Sequence, residues 1–437
     1  MNIKKIVLLA GLSLLSTSTY AANWLALQGT EKRGSAARAK VWGFIQPEYT
    51  SISGTPLAAG PSKGQDMSPN MVKPDNKANR AFNIRRARIG VRGTGFPLDD
   101  NVNYFFLAEF GNNGITKPAK TGVLITDASL TLNHIPGARI RIGQFKTPTA
   151  EEGLQAIHVF NYINFTNVTN QMMLERFTNG DGSDNSVPNG LNGAVGAFRD
   201  VGVQVFDIFK SGDWEHSYAV MYGNGNGIGR SDNNNAKDKY VYWSSEYLFG
   251  AGKGVRREGL KLFAWNQSGT RTLTGADAKG KGDYDRTRNG IGFTLLKGKY
   301  RAAAEYMTAD GMIFNGTDGA AVPGSIANNG TSIVGVNVLT EDKANGYYVD
   351  FGYKIIPKLE LDIRYDVLNR GTETDKGERT FDTLTLGAQY FFNKKSRMTI
   401  NYEFRNQNAP EFPDSAPPNQ IADSLDDRLA LQWLVIF

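Results

Sequence analysis

The 437-residue chain is 40% hydrophobic and carries 24 Phe, 18 Tyr and 49 Gly, no Cys and only 3 His, with a formal charge of +6. The lack of Cys excludes disulfide frameworks, thiolate metal sites and Cys nucleophiles, and so few His leave no basis for a His-built zinc site. No run reaches the roughly 20 apolar residues of a membrane helix, the charge is too small to imply nucleic acid, and the aromatic and Gly content fits many strands and turns rather than disorder.

Residues 1–21 carry the three parts of a secretory signal: Lys4 and Lys5, an apolar stretch over 6–15, and Thr19-Tyr20-Ala21 before the cleavage point. The stretch is too short to span a bilayer. The mature chain is expected to begin near Ala22, with 22–40 an N-terminal periplasmic segment and 41–437 one barrel domain. From Val41 onward the hydrophobic period is two. Tyr347, Val349, Phe351, Tyr353 and Ile355 alternate with Tyr348, Asp350, Gly352 and Lys354. Leu359, Leu361, Ile363, Tyr365 and Val367 alternate with Glu360, Asp362, Arg364 and Asp366. Met398 to Phe404 repeats the pattern, and so do Leu429, Leu431, Trp433, Val435 and Phe437 at the end.

A soluble sheet facing core and water gives this alternation; so does a transmembrane barrel facing lipid and a wet lumen. Three features favour the barrel. Aromatics sit at strand ends, as in Tyr347-Tyr348 and Tyr390-Phe391-Phe392. Short and long connections alternate strictly. The last strand ends in Phe437, which resembles the terminal signal of bacterial outer-membrane proteins. Short turns fall at 96–101, 133–137, 210–213, 249–259, 297–299, 356–358 and 393–396. Long segments rich in Gly, Asn, Asp and Ser fall at 51–81, 111–121, 147–192, 223–238, 267–285, 309–344, 368–379 and 407–425. The predicted fold is all-β: a transmembrane antiparallel β-barrel of 16 strands, an even count as closure asks.

An Arg facing lipid at mid-membrane costs about 2–4 kcal/mol, so parity decides which way the basic residues point. Ala87, Ile89 and Val91 belong to the lipid face, which turns Arg86, Arg88 and Arg92 to the lumen. Ile140 and Ile142 likewise turn Arg139 and Arg141 inward. Arg288, Arg301, Arg364 and Arg405 are read the same way. With long loops outside, Arg288, Arg405 and Arg428 lie near the outer mouth. Arg88, Arg141 and Arg364 lie near mid-height, and Arg92, Arg139 and Arg301 near the inner mouth. A guanidinium stays charged and forks onto oxyanions. Such a track lets an anion step through, provided no site holds it too tightly. Glu109, Asp127, Glu305, Asp350, Glu360, Asp362 and Asp366 also fall on lumen positions. The alternative is therefore that lumen charges merely pair with one another.

Segment 147–192 is several times longer than an ordinary loop and holds Ile157, Val159, Phe160, Tyr162, Ile163 and Phe165. It is expected to fold into the barrel and narrow it; an outward lid making trimer contacts is the alternative. Its Glu151, Glu152, Glu175, Asp181 and Asp184 against Arg176 predict an acidic constriction facing basic walls. The Gly-rich stretch ending at Gly280-Lys281 lacks the Ser/Thr and the strand–helix setting of a nucleotide loop. The 181–185 stretch reads as a polar turn before it reads as a Ca²⁺ site. No catalytic residue, metal ligand or cofactor is assigned, because an enzyme needs a nucleophile or acid beside a positioned His. A TonB-dependent receptor needs about 22 strands and a plug, too many for this length.

The stretches FNIRRARIGVRG at 82–93, Gly143-Gln144-Phe145-Lys146-Thr147-Pro148, Glu175-Arg176-Phe177 and Arg199-Asp200-Val201-Gly202-Val203 stand in a telling order. It is the order seen in phosphate-selective porins of the porin O and P type, which most of 41–437 resembles. The resemblance implies that same barrel, trimeric, with an inward third loop and a basic pore wall. It implies passive passage of phosphate or related anions across the outer membrane of a Gram-negative cell. By position it implies a pore-lining role for Arg86, Arg88 and Lys146. This chain departs from the family in the acidic loop after Pro148, where the family is richer in Lys. That departure keeps a general diffusion porin with weak ion selectivity as the alternative. The implied partners are small anions, the bilayer with its lipopolysaccharide and further copies of the chain, with no nucleic acid.

Overall fold

The computed structural model describes residues 23–26, 37–59, 63–64, 80–95, 99–112, 122–174, 176–178, 191–196, 198–228, 231–250, 256–274, 281–315 and 337–437. Sixteen strands close into one barrel. They are β1 Lys40–Gly54, β2 Arg80–Thr94, β3 Val102–Glu109, β4 Leu124–Leu132, β5 Arg139–Lys146, β6 Arg199–Ser211, β7 Trp214–Gly223 and β8 Asp238–Leu248, then β9 Gly259–Thr274, β10 Lys281–Lys297, β11 Tyr300–Asp310, β12 Lys343–Ile356, β13 Leu359–Arg370, β14 Arg379–Asn393, β15 Ser396–Asn408 and β16 Leu425–Ile436. Each pairs antiparallel with its chain neighbour, and β16 returns to β1 with Phe44 opposite Ile436 and Tyr49 opposite Leu431. In hydrocarbon every backbone N–H and C=O must be met within the protein, and closure is how a sheet achieves that. No described helix is long and apolar enough to cross a membrane, so any crossing falls to the strands.

The period of two becomes two faces. Ile89, Ile142, Val349 and Ile363 are exposed, while Arg88, Arg141, Asp350 and Arg364 beside them are buried. Aromatic pairs ring the short-turn end: Trp214 with Tyr247 at 5.4 Å, Tyr300 with Tyr353 at 5.2 Å and Phe392 with Trp433 at 5.6 Å. This is the girdle position of a membrane barrel. Two of those turns bend through Gly212 and Gly298, both at φ +60°, a region open to Gly without strain.

One expectation changes. Residues 267–285 are mostly hairpin, since β9 and β10 stay paired as far as Thr274 opposite Lys281. Their polarity reads as loop in the sequence, yet polar strands pair equally well above a membrane. Here the Thr272 hydroxyl donates to Asp283 at 2.8 Å across the pair. Within 22–40, Asn23, Trp24, Leu25 and Ala26 are buried. Trp24 and Leu25 join an apolar cluster with Ala150, Leu154 and Phe206, and burying such side chains is worth about 1.5–3 kcal/mol each.

The third long connection carries two short helices, α1 Glu151–Leu154 and α2 Asn167–Met172. It bonds to strands far in the barrel order from β5 and β6, which flank it. The Tyr162 hydroxyl donates to Asp350 on β12 at 2.7 Å. The Ile163 N–H donates to Asn401 on β15 at 2.8 Å, and the Asn167 N–H to Asp366 on β13 at 2.9 Å. The Glu151 N–H donates to Glu305 on β11 at 3.1 Å.

Candidate functional site: the inner wall

β1 and β2 build the most basic stretch of wall. Their register slips between Gln46, opposite Arg86, and Pro47, opposite Ile84. Arg85 is the extra residue of this bulge, and a bulge re-aims the side chain it carries. Arg85 and Arg86 are therefore both buried, while Ile84 and Ile89 face outward. Strict parity sends Arg85 to lipid and misses it. The available signals were Pro47, which has no N–H for a ladder, and the cost of a lipid-facing Arg.

Arg85 donates to Glu48 at 2.8 Å and to the Asn164 amide oxygen at 2.9 Å. Arg86 donates to the Gln46 amide oxygen at 3.1 Å. Arg88 meets Glu109 at 2.7 Å and lies over the Phe44 ring. Arg199 forks onto Asp127 at 3.1 and 3.0 Å. Lys146 gives its ammonium to the carbonyls of Gly153 at 2.8 Å, Leu154 and Gln155. It fastens the end of α1.

The far wall differs. Arg301 on β11 sits among Asp350, Glu360 at 3.0 Å and Asp362 at 2.6 Å, one guanidinium to three carboxylates. Arg364 pairs with Glu152 at 2.9 Å, donates to the Asn164 carbonyl at 3.1 Å and stands 4.2 Å from the Tyr162 ring centre. Arg288 donates to the carbonyls of Met172, Gly311 and Met312 among others, and so ties α2 to β10. Arg139 pairs with Asp207 at 3.2 Å. Arg141 donates to the Leu25 carbonyl at 3.0 Å and stacks 4.5 Å from the Phe206 ring centre. Arg92 stands over Trp42 at 5.7 Å. Arg405 is half-buried, with one amine 3.4 Å from the Asp426 carbonyl.

Of the acidic residues expected in the third long connection, Glu151 and Glu152 each meet a wall cation. Glu151 takes Lys261 at 2.7 Å and the Trp24 indole N–H at 2.9 Å. Glu152 takes Arg364, the Thr166 N–H at 3.1 Å and the Thr166 hydroxyl at 2.6 Å. A buried carboxylate without a partner is far costlier than one that finds a wall cation. Glu175, Asp181 and Asp184 lie outside the described residues. Arg176 opens a short strand, Arg176–Thr178, paired with Leu191–Val195. His158 lies 5.6 Å from the Trp42 ring centre and 5.3 Å from that of Phe44. Burial first, then Lys146 and Arg92, push its imidazole down to about 3, so it is neutral at neutral pH.

Arg88 and Lys146 thus line one cavity together with Arg199, and Arg86 stands one inward step away on β2. Arg288, Arg301, Arg364 and Arg405 lie on other strands with partners of their own. Arg199 and Lys261 were not foreseen. Arg199 begins its strand just before the outward Val201 and Val203, where parity gives no guide. Lys261 shares its inward face with Phe263 and Trp265, which hides the polar period.

The family model described as "Phosphate-selective porin O and P" matches residues 65–183. Among solved structures, the chain is similar to OmpF of Salmonella typhi in complex with daunomycin, at 16% identity and a TM-score of 0.54, over 91% of this chain and 97% of that one. It is similar to the loop L8 deletion mutant of OmpT, an outer membrane protein of Vibrio cholerae, at 12% identity and 0.53, over 91% and 99%. It is also similar to the anion-selective porin from Comamonas acidovorans, at 12% identity and 0.50, over 92% and 100%. Identities this low bear on the fold alone, which is that of outer-membrane porins. No curated protein matches the sequence.

Proposed function

We propose that the chain, exported by its first 21 residues and assembled in an outer membrane, forms a water-filled passive channel that prefers anions, phosphate and related oxyanions among them. The observation that carries this reading is the inner side of β2. There Arg85, Arg86 and Arg88 gather, and Arg86 meets an amide oxygen rather than a carboxylate. A guanidinium bonded to a neutral acceptor keeps its field for a passing ion. Arg199 and Lys146 add charge nearby, and Glu48, Glu109 and Asp127 offset part of it. Segment 147–174, read as a constriction folded against the wall, directs ions past this stretch. The family description and the anion-selective fold neighbour point the same way.

The Arg301 cluster, one guanidinium among three carboxylates, favours a second reading. It sets a transverse field across the pore rather than a basic tube, which is the arrangement of a weakly selective general porin. Single-channel recording in a KCl gradient decides between them. The expected reversal potential is anion-selective, and a cation-selective one ends the anion reading. Millimolar phosphate is expected to reduce the chloride current, since it offers several acceptor oxygens to forked donors. Indifference to phosphate leaves the general porin. The trimer implied by the resemblance is expected on chemical cross-linking in detergent, and a monomer alone overturns it.

A further inference from the structure

The lumen face of a membrane barrel is polar where it meets water, and the wall around Trp42 departs from that. Phe44 on β1 and Phe105 and Leu107 on β3 are buried on the inner side, with Trp42 half-buried beside them. Trp42 lies 6.2 Å from Phe44 and 6.0 Å from Phe105 between ring centres. His158 approaches both Trp42 and Phe44 from the third long connection. Docking of that connection accounts for some of this apolar surface, but it does not fill the space. A cavity of about 240 Å³ remains, bounded also by Trp24 and Phe437. Close-packed protein leaves few voids larger than a water. The same cavity is lined by Lys40, Arg88, Arg92, Lys146, Arg199 and Lys395; Glu109 and Asp127, which pair with Arg88 and Arg199, stand outside its lining. Two guanidinium groups stack on its rings, Arg88 over Phe44 and Arg92 over Trp42.

A small inorganic anion gains from the charge and nothing from the rings. A planar ring gains from both, because offset or edge-on aromatic contacts and stacked guanidinium groups favour it. A carboxylate on that ring accepts charge-assisted hydrogen bonds from the lining cations. The volume is below the roughly 300–1,000 Å³ of pockets that hold drug-sized ligands, which selects one ring rather than two. We propose that this cavity is a binding station for a single-ring aromatic carboxylate. The proposal deepens the anion-channel reading and rests on it. Station binding must stay weak for the ion to leave again.

The test uses the full mature protein and benzoate, with acetate and phosphate as comparisons. In planar bilayers, benzoate is expected to reduce the chloride current at a concentration at least tenfold below that of acetate. Trp42→Ala is expected to bring the two concentrations together. Phe105→Leu, a milder change, is expected to narrow the gap if Trp42→Ala fails to assemble. Equilibrium dialysis of radiolabelled benzoate against detergent-purified protein reads the site without needing current. Equal potency of benzoate and acetate, an unchanged ratio in Trp42→Ala, or no saturable uptake in dialysis overturns the station. A cation-selective channel that still takes up benzoate in dialysis overturns the anion-channel reading and leaves the station standing.

Discussion

Arg85 and Arg86 are neighbours in sequence and both point inward, which no strict alternation allows. The slip at Gln46 and Pro47 makes it possible. Arg88, Arg141 and Arg364 are buried where parity turns them inward, with an apolar residue on each side of them in the strand. What parity does not supply is the partner, since that depends on register between strands far apart in sequence. Arg86 and Arg301 look alike in the sequence, yet one meets an amide and the other three carboxylates. Arg86→Ala is therefore expected to lower the anion-to-cation permeability ratio. Arg301→Ala leaves its carboxylates unmatched and is expected to lower the ratio as well, but with a loss of barrel stability that Arg86→Ala does not show. Reversal potentials and the temperature of heat modification read the two effects. Equal stability of the two variants counts against this division of roles. Glu152 gives a third case. Read as an acidic throat, Glu152→Gln only removes repulsion. In the structure Arg364 and the Thr166 N–H use different oxygens of Glu152; Gln keeps one oxygen and puts an NH2 in place of the other, and a buried donor left unsatisfied costs about 1–3 kcal/mol. The variant is expected to melt earlier than wild type, and an unchanged melting temperature sinks this assignment.

Strands were legible at the element scale because the membrane enforces two chemically distinct faces. Segments off the membrane carry no such constraint. That is why the β9–β10 hairpin reads as loop. The buried residues of the N-terminal segment have a mechanical consequence. Trp24 donates to Glu151 and the Leu25 carbonyl accepts from Arg141, so these residues occupy space beside the wall that ions would otherwise use. A mature chain lacking 23–26 is expected to conduct more than wild type in the same bilayer, and an unchanged conductance refutes that. The third long connection has a pH dependence of its own through His158, whose folded value is about 3 against about 6.5 when unfolded. Below about 6.5 the unfolded chain takes up the proton and the folded one does not, so stability falls as pH drops from about 6.5 towards 3 and is complete above that window. The barrel is expected to melt at a lower temperature at pH 4.5 than at pH 7.5, and His158→Phe is expected to lessen the difference. The same drop in both proteins removes His158 as its source.

The barrel closes at a seam between its first and last strands, and Phe437 is part of it. Phe437 donates its N–H to the Gly43 carbonyl at 3.0 Å, and its own carbonyl accepts from the Gly43 N–H at 3.3 Å. Its ring lies where a side chain on residue 43 would stand, since a Cβ built on Gly43 falls 2.4 Å from it. The sequence suggested a terminal signal in Phe437; the geometry adds a mechanical part. Sixteen strands leave one seam, β1 to β16, and an open edge within hydrocarbon exposes backbone groups that cost several kcal/mol each. Deleting Phe437 removes both of those bonds and the ring that covers Gly43. The deletion is expected to lower the yield of heat-modifiable barrel and to lower the temperature at which the assembled fraction opens. Phe437→Ala keeps the backbone bonds and loses only the ring. It is expected to assemble less well than wild type while melting closer to it than the deletion does. Equal melting of the deletion and wild type would show that the last residue acts as an assembly signal alone, with the seam held by the pairs from Phe44 to Ile52.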